Sequence, residues 1–179
     1  MNTKHINYKM KNAIINKKIY MILVLFLLTS NMNIQAQKTD QNFTQIINTF
    51  SKAITNPEME TEFYNLFLHD SITWATVNEG KTKEDLKSKN DYQPYSSASF
   101  KTFYKMIKTG SYEEKFYNII TQQDDNYATI SFDYSFHKDT EIKNWGKEYW
   151  TLLKVDEQWK ITSVLWTTNY QYIEKCPFK

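Results

Sequence analysis

The chain has 179 residues, a formal net charge of +2 and a single cysteine, Cys176. This length suits one domain with an appendage, and one cysteine excludes an intramolecular disulfide. The three glycines are far apart in the sequence, so a glycine-rich phosphate-binding loop is excluded as well.

The first 36 residues are typical of a secretory signal peptide. They contain five lysines and no acidic residue, and an apolar run extends from Ile19 to Leu28. Crossing a bilayer takes roughly twenty apolar residues, which is more than this run supplies. Ala36 is a suitable residue before the cleavage site, and Met10 is an alternative start of translation. We therefore predict an exported protein, periplasmic or secreted, whose mature domain comprises residues 37–179.

Removal of this segment would change the formal charge from +2 to −3. The mature chain would then be mildly acidic, and it contains no arginine. Nucleic-acid binding requires a basic stripe on the surface, and binding to anionic lipid requires a polybasic face. We therefore expect no nucleic-acid partner and no membrane association after cleavage.

Apolar residues at helical spacing and helix-capping signals predict three helices in the first part of the domain, or four if the short segment Lys83–Lys89 is counted. The second starts at the sequence Asn56-Pro57-Glu58, and Thr82 with Asp85 resembles a capping box for the third. An extended segment over His69–Val77 separates these two. The predicted helices are Asn42–Thr55, Asn56 to about Leu68, Lys83–Lys89 and Ser99–Thr109.

The sequence pattern of the last third of the domain predicts a meander of four β-strands. Together with the preceding helices, this meander indicates an α+β fold. Asn126–His137 alternates apolar and polar residues with a period of two, as a half-buried strand does. Short acidic turns precede the second and fourth strands, and a longer connection over Lys138–Gly146 carries Trp145. The predicted strands are Glu113–Gln123, Asn126–His137, Lys147–Val155 and Gln158–Tyr170.

The last strand is apolar on both of its predicted faces. Trp159, Ile161 and Leu165 occupy one face, while the other carries Val164, Trp166 and Tyr170. A row of exposed side chains of this size would form a large attractive patch. We therefore predict a homodimer through the outer face formed by Val164, Trp166 and Tyr170.

Two stretches resemble nuclear transport factor 2-like (NTF2-like) proteins. The sequence F-L-H-D-S-I-T-W-A-T-V-N-E-G-K-T-K-E-D-L is similar to their first strand and the following helix. The sequence G-K-E-Y-W-T-L-L-K-V-D-E-Q-W-K-I-T-S-V-L-W is similar to their final hairpin. The resemblance, which extends to exported SnoaL-like and lumazine-binding-like proteins, implies an NTF2-like (cystatin-like) cone. In such a cone, helices pack inside a strongly curved antiparallel sheet that is open at one end to an apolar pocket.

Folds of this kind host ketosteroid isomerases, polyketide cyclases, dehydratases and epoxide hydrolases, and other members bind ligands without chemistry. An enzyme would need an acid or a base in the apolar pocket. Glu148, which shares a face with Trp150 and Leu152, is one candidate. His69 and Asp70 could act as a base and its orienting residue at the cone mouth, or they could be a solvent-facing residue and a turn cap. Asp133 and His137 are expected to be solvated on the outer face.

Five aromatic residues are candidates for a ligand-binding wall, although each could instead be ordinary core: Trp74, Phe103, Tyr104, Tyr134 and Trp150. The three histidines show no metal-ligand spacing, so we expect neither a metal nor a cofactor. The favoured hypothesis is a non-catalytic domain that binds a small apolar or aromatic ligand. One alternative is an isomerase, cyclase or dehydratase that uses His69, Asp70 or Glu148. Another is a dimeric interaction module whose cone is filled by its own side chains.

Overall fold

A computed structural model of the protein describes residues 41–178. The proposed signal peptide, the cleavage site at Ala36 and the alternative start at Met10 lie outside these residues, so export stays a prediction. Within the described part of the chain, no helix is long and apolar enough to cross a membrane.

Residues 41–178 form four helices. The bounds are α1, Gln41–Thr55; α2, Glu60–Tyr64; α3, Gly80–Ser88; and α4, Phe100–Ile107. Helix α1 buries the apolar stripe that its sequence predicts, including Phe43 and Phe50. Helix α4 is capped by Ser99, whose hydroxyl accepts a hydrogen bond from the backbone N–H of Thr102 at 3.1 Å, as expected for a serine at this position.

The same residues form one six-stranded sheet, in the order β2-β1-β6-β5-β4-β3. Strand β1 runs parallel to β6, and every other neighbouring pair is antiparallel. The predicted α+β class and the C-terminal meander are therefore confirmed. The strand bounds are β1, Thr73–Asn78; β2, Ser96–Ser97; β3, Tyr112–Gln123; β4, Tyr127–Lys138; β5, Glu141–Val155; and β6, Gln158–Tyr170.

The second helix is much shorter than predicted because its C-terminal half pairs with the sheet. Beyond Tyr64 the backbone N–H of Ile161 donates to the carbonyl of Leu66 at 2.8 Å, and that of Leu68 donates to the carbonyl of Ile161 at 2.9 Å. Pairing with β6 thus competes with helix formation. The capping box predicted for α3 is also wrong, because the hydroxyl of Thr82 accepts a hydrogen bond from the backbone N–H of Tyr170.

The long loop predicted over residues 138–146 is instead a tight turn followed by strand. Asp139 and Thr140 both have positive φ, 51° and 71°, as a two-residue hairpin turn of this type requires. Strand β5 therefore begins at Glu141. A bulge near its start interrupts the alternation of apolar and polar residues, which explains why this stretch resembles a loop in the sequence.

A bulge in β6 reverses the predicted orientation of its second half. Thr151 pairs with Ser163, but the next residue, Leu152, pairs with Ile161, so Thr162 is an extra residue. An extra residue shifts the side-chain alternation by one position.

The homodimer face predicted at Val164, Trp166 and Tyr170 is therefore wrongly placed. Val164 is buried on the concave face together with Ile161, and Trp166 packs edge-on against Trp74. Tyr170 is half-buried and stacks on Tyr172 of the same chain. Leu165, by contrast, is exposed on the convex face.

The C-terminal segment, residues 171–178, covers part of the convex face of the sheet. The ring of Phe178 packs edge-on against Trp145, whose indole N–H donates to the carbonyl of Glu174 at 2.9 Å. Ser135 and His137 are buried on this side of β4, with Ser135 Oγ 2.9 Å from His137 Nε2. The expectation that His137 is solvated is therefore wrong.

The alternation predicted for β4 is confirmed, and it defines the centre of the core. Ala128, Ile130, Phe132 and Tyr134 are all buried on the concave face. The ring of Phe132 contacts those of Phe116 and Trp150, with centroids 4.4 and 5.1 Å away.

Substitution Phe132→Ala should lower the free energy of unfolding by about 3–5 kcal/mol, because it removes a fully buried ring and leaves a cavity. Urea unfolding measures this change. Tyr127→Ala is the matched control on the same strand, because Tyr127 is exposed, and it should cost less than about 1 kcal/mol. Equal losses in the two variants would contradict the orientation of β4.

Candidate functional site

A cavity of about 310 Å³ lies between helices α1 and α4 and the concave face of the sheet. Most of its wall is aromatic or aliphatic, and the polar exceptions are two glutamates, a tyrosine, an asparagine and a threonine. The lining residues are Phe50, Trp74, Ala98, Thr102, Phe103, Met106, Glu114, Tyr134, Phe136, Asn144, Glu148, Val164 and Trp166.

Glu148 enters the cavity from β5. It pairs with Phe132 of β4 and Trp166 of β6, and only 4% of its surface is exposed. Two residues further along the same face of β5, the indole N–H of Trp150 donates to Glu148 Oε1 at 2.6 Å. A donor this close is typical of a hydrogen bond to a charged acceptor.

Glu114 enters the same cavity from β3. It pairs with Phe136 of β4 and is 6% exposed. Its carboxyl group has no hydrogen-bond donor and no cation against it among residues 41–178, whereas its backbone carbonyl accepts a bond from the hydroxyl of Ser51. No side-chain oxygen of the described residues is both fully buried and without a partner, so the carboxyl oxygens of Glu114 are open to the cavity. A carboxylate in this apolar hollow, with neither a donor nor a cation beside it, is costly in a folded protein.

Burial disfavours the charged form of both groups. It raises the pKa of Glu148 to about 7, against the opposing effect of the Trp150 N–H. Burial and the neighbouring charge of Glu148 raise the pKa of Glu114 well above its ordinary value. Two interacting carboxyl groups in an apolar site lose their protons one after the other. Near neutral pH the pair therefore holds one proton that it can give and one carboxylate that can accept another.

Tyr134 lies between the two carboxyl-bearing strands, opposite Phe116 of β3 and Gly146 of β5. Its hydroxyl lies 3.1 Å from Asn144 Oδ1 and 2.9 Å from the carbonyl oxygen of Thr167, both of them acceptors. A Cβ atom at Gly146 would clash with that same carbonyl. Glycine at this position thus lets β6 approach closely enough for the carbonyl oxygen of Thr167 to accept the hydrogen bond from the Tyr134 hydroxyl. Burial raises the pKa of Tyr134 well above its usual range, so this residue stays neutral.

The cavity lining has only negative or neutral groups. No lysine or histidine of residues 41–178 lines it, and the chain has no arginine. The faces of the aromatic rings are also weakly negative. A site of this kind repels anions and suits a neutral molecule whose polar group meets the carboxyl pair.

The structure brings together three of the five predicted ligand-wall residues. Trp74, Phe103 and Tyr134 line the cavity. Tyr104 does not, because it is fully buried against the helices and its hydroxyl donates to the carbonyl of Pro57 at 2.9 Å. Trp150 is also fully buried and contacts the site through Glu148.

His69 and Asp70 lie on the surface, outside the cavity lining. His69 Nδ1 accepts a hydrogen bond from the backbone N–H of Ser71 at 3.1 Å. Asp70 forms an ion pair with Lys101 of α4 at 2.6 Å. The structure therefore does not unite these two residues with Glu148.

Sequence reasoning missed Glu114, although the sequence contains a signal for it. Tyr112, Glu114 and Phe116 alternate along β3, so the glutamate interrupts an apolar row as Glu148 does on β5. Trp166 was also missed as a lining residue, since only the bulge at Thr162 turns it toward the cavity. Within the described residues, no group of three or more His, Cys, Asp or Glu side chains could hold a metal ion.

No family model and no curated protein matches the sequence, whereas solved structures resemble it clearly. One is a proposed dehydratase of the NTF2-like family from Streptomyces avermitilis, with a TM-score of 0.52 and 10% sequence identity. The match covers 72% of this chain and 94% of that chain. The chain has an NTF2-like fold.

Two other solved structures are similar to this chain. A single-residue variant of a protein of unknown function from Mycobacterium tuberculosis has a TM-score of 0.51 and 13% identity, over 72% of this chain and 70% of that chain. A protein of unknown function with a cystatin-like fold, from Nostoc punctiforme, has a TM-score of 0.48 and 12% identity, over 72% and 89%. The predicted NTF2-like (cystatin-like) architecture is confirmed, and at these identities the likeness establishes the fold alone.

The raised pKa of Glu148 makes stability depend on pH. Its folded-state pKa lies above the unfolded value, so the folded protein binds more protons between about pH 4.5 and 7 and becomes less stable as the pH rises through that window. The loss attributable to Glu148 is about 3 kcal/mol. In Glu148→Gln this loss should disappear, which urea unfolding at pH 4.5 and pH 8 will measure.

The control for this prediction is Glu84→Gln on α3, because the Glu84 side chain is exposed. It should keep the pH dependence of the parent protein. Parallel stability curves for Glu148→Gln and the parent protein would contradict the burial of a titrating carboxyl group.

Proposed function

We propose that the protein is an acid–base enzyme, of the isomerase, cyclase or dehydratase type, that moves a proton on a small neutral substrate. The observation that carries this proposal is the pair of buried carboxyl groups, Glu114 and Glu148, in an otherwise apolar cavity. It reverses the preference drawn from the sequence, which favours a non-catalytic ligand-binding domain.

A purely structural role does not account for this pair. A carboxylate buried for stability is normally paired with a cation or saturated with hydrogen bonds. Glu148 has one donor, Trp150, and the carboxyl group of Glu114 has none among the described residues. Strongly raised carboxyl pKa values in a cavity are instead characteristic of acid–base sites.

The lining supports a substrate with one or two rings. The aromatic side chains of Phe50, Trp74, Phe103 and Trp166 form the wall, and about 310 Å³ is at the small end of the roughly 300–1,000 Å³ known for ligand pockets. The neighbour from Streptomyces avermitilis, described as a proposed dehydratase, agrees with this reaction class by fold analogy.

The pair of glutamates can catalyse enolisation. The ionised carboxylate takes a proton from the carbon next to a substrate carbonyl, while the protonated carboxyl gives its proton to the carbonyl oxygen. The C–H electron pair becomes the C=C bond of the enol. If the proton held by the carboxylate exchanges with solvent, its return to the same carbon labels the ketone. In an unsaturated ketone, whose enol is conjugated with a further C=C bond, return to the far carbon isomerises the substrate instead.

The general test is hydrogen–deuterium exchange at the carbon beside a ketone. The probe is 2-tetralone in D₂O, followed by proton NMR at pD 7.5. The protein should accelerate exchange above the buffer rate, and Glu148→Gln or Glu114→Gln should lower this acceleration about 100-fold or more. Glu84→Gln should leave it unchanged.

A second candidate function, ligand binding without chemistry, is supported by the cavity itself. Binding of 2-tetralone, seen as a rise in Tm, without any exchange above background would favour that function over catalysis. The third alternative, a filled cone, is disfavoured because the cavity is open to a ligand of this size.

We also propose that two copies associate through the convex face of the sheet, at residues that replace those first predicted. Tyr149 of β5 pairs with Leu165 of β6, and Ile120 and Tyr149 flank Ser131 of β4 in the same row. All three apolar side chains are exposed. An apolar row of this kind favours association with a partner.

Leu165→Glu should abolish this association, because it places a charge within the apolar row, next to Tyr149. Sedimentation velocity should then show a folded monomer in place of a dimer. Tyr95→Glu is the control, because Tyr95 is an exposed loop residue away from the row. A parent protein that sediments as a monomer would refute the proposed dimer.

A further inference from the structure

The two carboxyl groups of the cavity differ in one contact. Trp150 donates to Glu148 Oε1 at 2.6 Å, while no side chain of residues 41–178 donates to the carboxyl group of Glu114. The two groups are otherwise alike, since each is more than nine-tenths buried and each lines the same cavity. The indole N–H is therefore the hydrogen-bond donor that distinguishes Glu148 from Glu114.

The indole of Trp150 is held rigidly. It is completely buried, and its ring contacts Phe50 at 4.7 Å between centroids and Phe132, edge-on, at 5.1 Å. Trp150 and Glu148 are two residues apart on one strand, so they extend from the same face of β5. The donor therefore stays fixed relative to the carboxyl group, and no rearrangement is needed to form the bond.

We propose that Trp150 is a positioning residue that makes Glu148 the carboxylate of the pair and leaves Glu114 to carry the shared proton. An N–H group can only donate, so it stabilises the ionised form of its acceptor. Once Glu148 is charged, its charge opposes ionisation of Glu114. The catalytic meaning of this assignment rests on the proposed function, but the location of the proton can be measured without any substrate.

No other group in the site competes with this effect. Tyr134 is the remaining titratable residue that faces the pair from β4, and its single hydroxyl proton is directed at two acceptors, the carbonyl oxygen of Thr167 and Asn144 Oδ1, rather than at a carboxyl group. The residues that line the cavity from α1, α4 and β6 are Phe50, Thr102, Phe103, Met106, Val164 and Trp166, none of which is charged. The indole N–H is thus the principal fixed dipole that separates the two glutamates.

The assignment of the base to Glu148 and the acid to Glu114 fixes the orientation of the substrate in the cavity. Trp150 holds Oε1 of Glu148, so Oε2 is the oxygen available to remove a proton from carbon. The substrate oxygen must then face Glu114, which donates its proton to it. A ketone therefore binds with its acidic C–H toward β5 and its oxygen toward β3.

The first test uses the parent protein. The side-chain carboxyl carbons of glutamate, labelled with ¹³C, and the indole N–H groups, labelled with ¹⁵N, are followed by NMR from pH 4 to pH 9. Glu114→Gln and Glu148→Gln assign the two carboxyl signals. We expect Glu148 to ionise at a lower pH than Glu114, and the indole signal of Trp150 to move with the Glu148 midpoint. Ionisation of Glu114 first, or an indole signal that does not follow Glu148, would overturn the assignment.

The second test removes the donor. Trp150→Phe should lower the ratio of ionised to protonated Glu148 at pH 7 about tenfold, which corresponds to the loss of one hydrogen bond to a charged group. Trp159→Phe is the matched control, because Trp159 packs against Phe43 and does not line the cavity. It should leave both carboxyl titrations unchanged. A Glu148 titration that is identical in Trp150→Phe and the parent protein would overturn the proposal.

The exchange reaction separates this inference from the proposed function. If Trp150 only positions the base, kcat for 2-tetralone exchange in Trp150→Phe should fall about fivefold at pH 7 and recover at high pH, with KM unchanged. A loss that is constant with pH would indicate a merely structural role for Trp150. Absence of exchange in the parent protein would refute the enzyme while leaving the NMR titration valid. Should Trp150→Phe not fold, the titration of the parent protein decides.

Discussion

The sheet must bend sharply, and the rest of the structure depends on how it does so. Extra residues interrupt the register in β3, in the β4–β5 pair and in β6. Such bulges increase local twist and curvature. Asn118 in the bulge of β3 has a φ of 50°, a conformation that asparagine tolerates better than most residues. Curvature leaves a hollow on the concave side that α1 and α4 cover without filling completely, and the carboxyl pair lies in that hollow.

The surroundings of the pair explain how the fold supports two buried acids. The aromatic cluster of Phe50, Phe116, Phe132 and Trp150 packs below Glu148 and contributes a large buried apolar area, at roughly 25 cal/mol per Å². That contribution offsets the cost of burying the two carboxyl groups. The cost is smaller when either group keeps its proton, because a neutral carboxyl group is easier to bury than a charged one. The same apolar packing that stabilises the domain therefore sets the protonation of its site.

Much of the fold follows from local sequence patterns. The alternation along β4 predicts its buried face correctly, and Gly110, Asn56 and Pro57 mark boundaries that the structure respects to within a few residues. The errors have a common physical origin in long-range contacts. Pairing of Leu66 and Leu68 with Ile161 shortens α2, and no local propensity contains that information. One extra residue at Thr162 exchanges the two faces of β6, and a period-two pattern cannot locate such a residue when both faces are apolar.

The site was only partly predictable for the same reason. Glu148 and Glu114 each interrupt an apolar row, so single-strand patterns identify them as candidates. Whether they share a cavity depends on how three strands pair with one another. The alternation of residues within a single strand does not reveal that register. His69 and Asp70 are adjacent in the chain and chemically suitable, yet the chain places them at the surface, where Lys101 and the backbone of Ser71 engage them.

The C-terminal segment divides the outside of the sheet into two regions with different properties. Near the β4–β5 hairpin, Phe178 packs on Trp145, whose indole N–H donates to Glu174, and Ser135 and His137 on the same side of the sheet are buried. Farther along the same strands, Tyr149 and Leu165 remain bare. The outer surface is therefore of two kinds: the chain's own C-terminal residues cover the stretch at Trp145, whereas the adjoining stretch with Tyr149 and Leu165 is accessible to solvent and to any reagent dissolved in it.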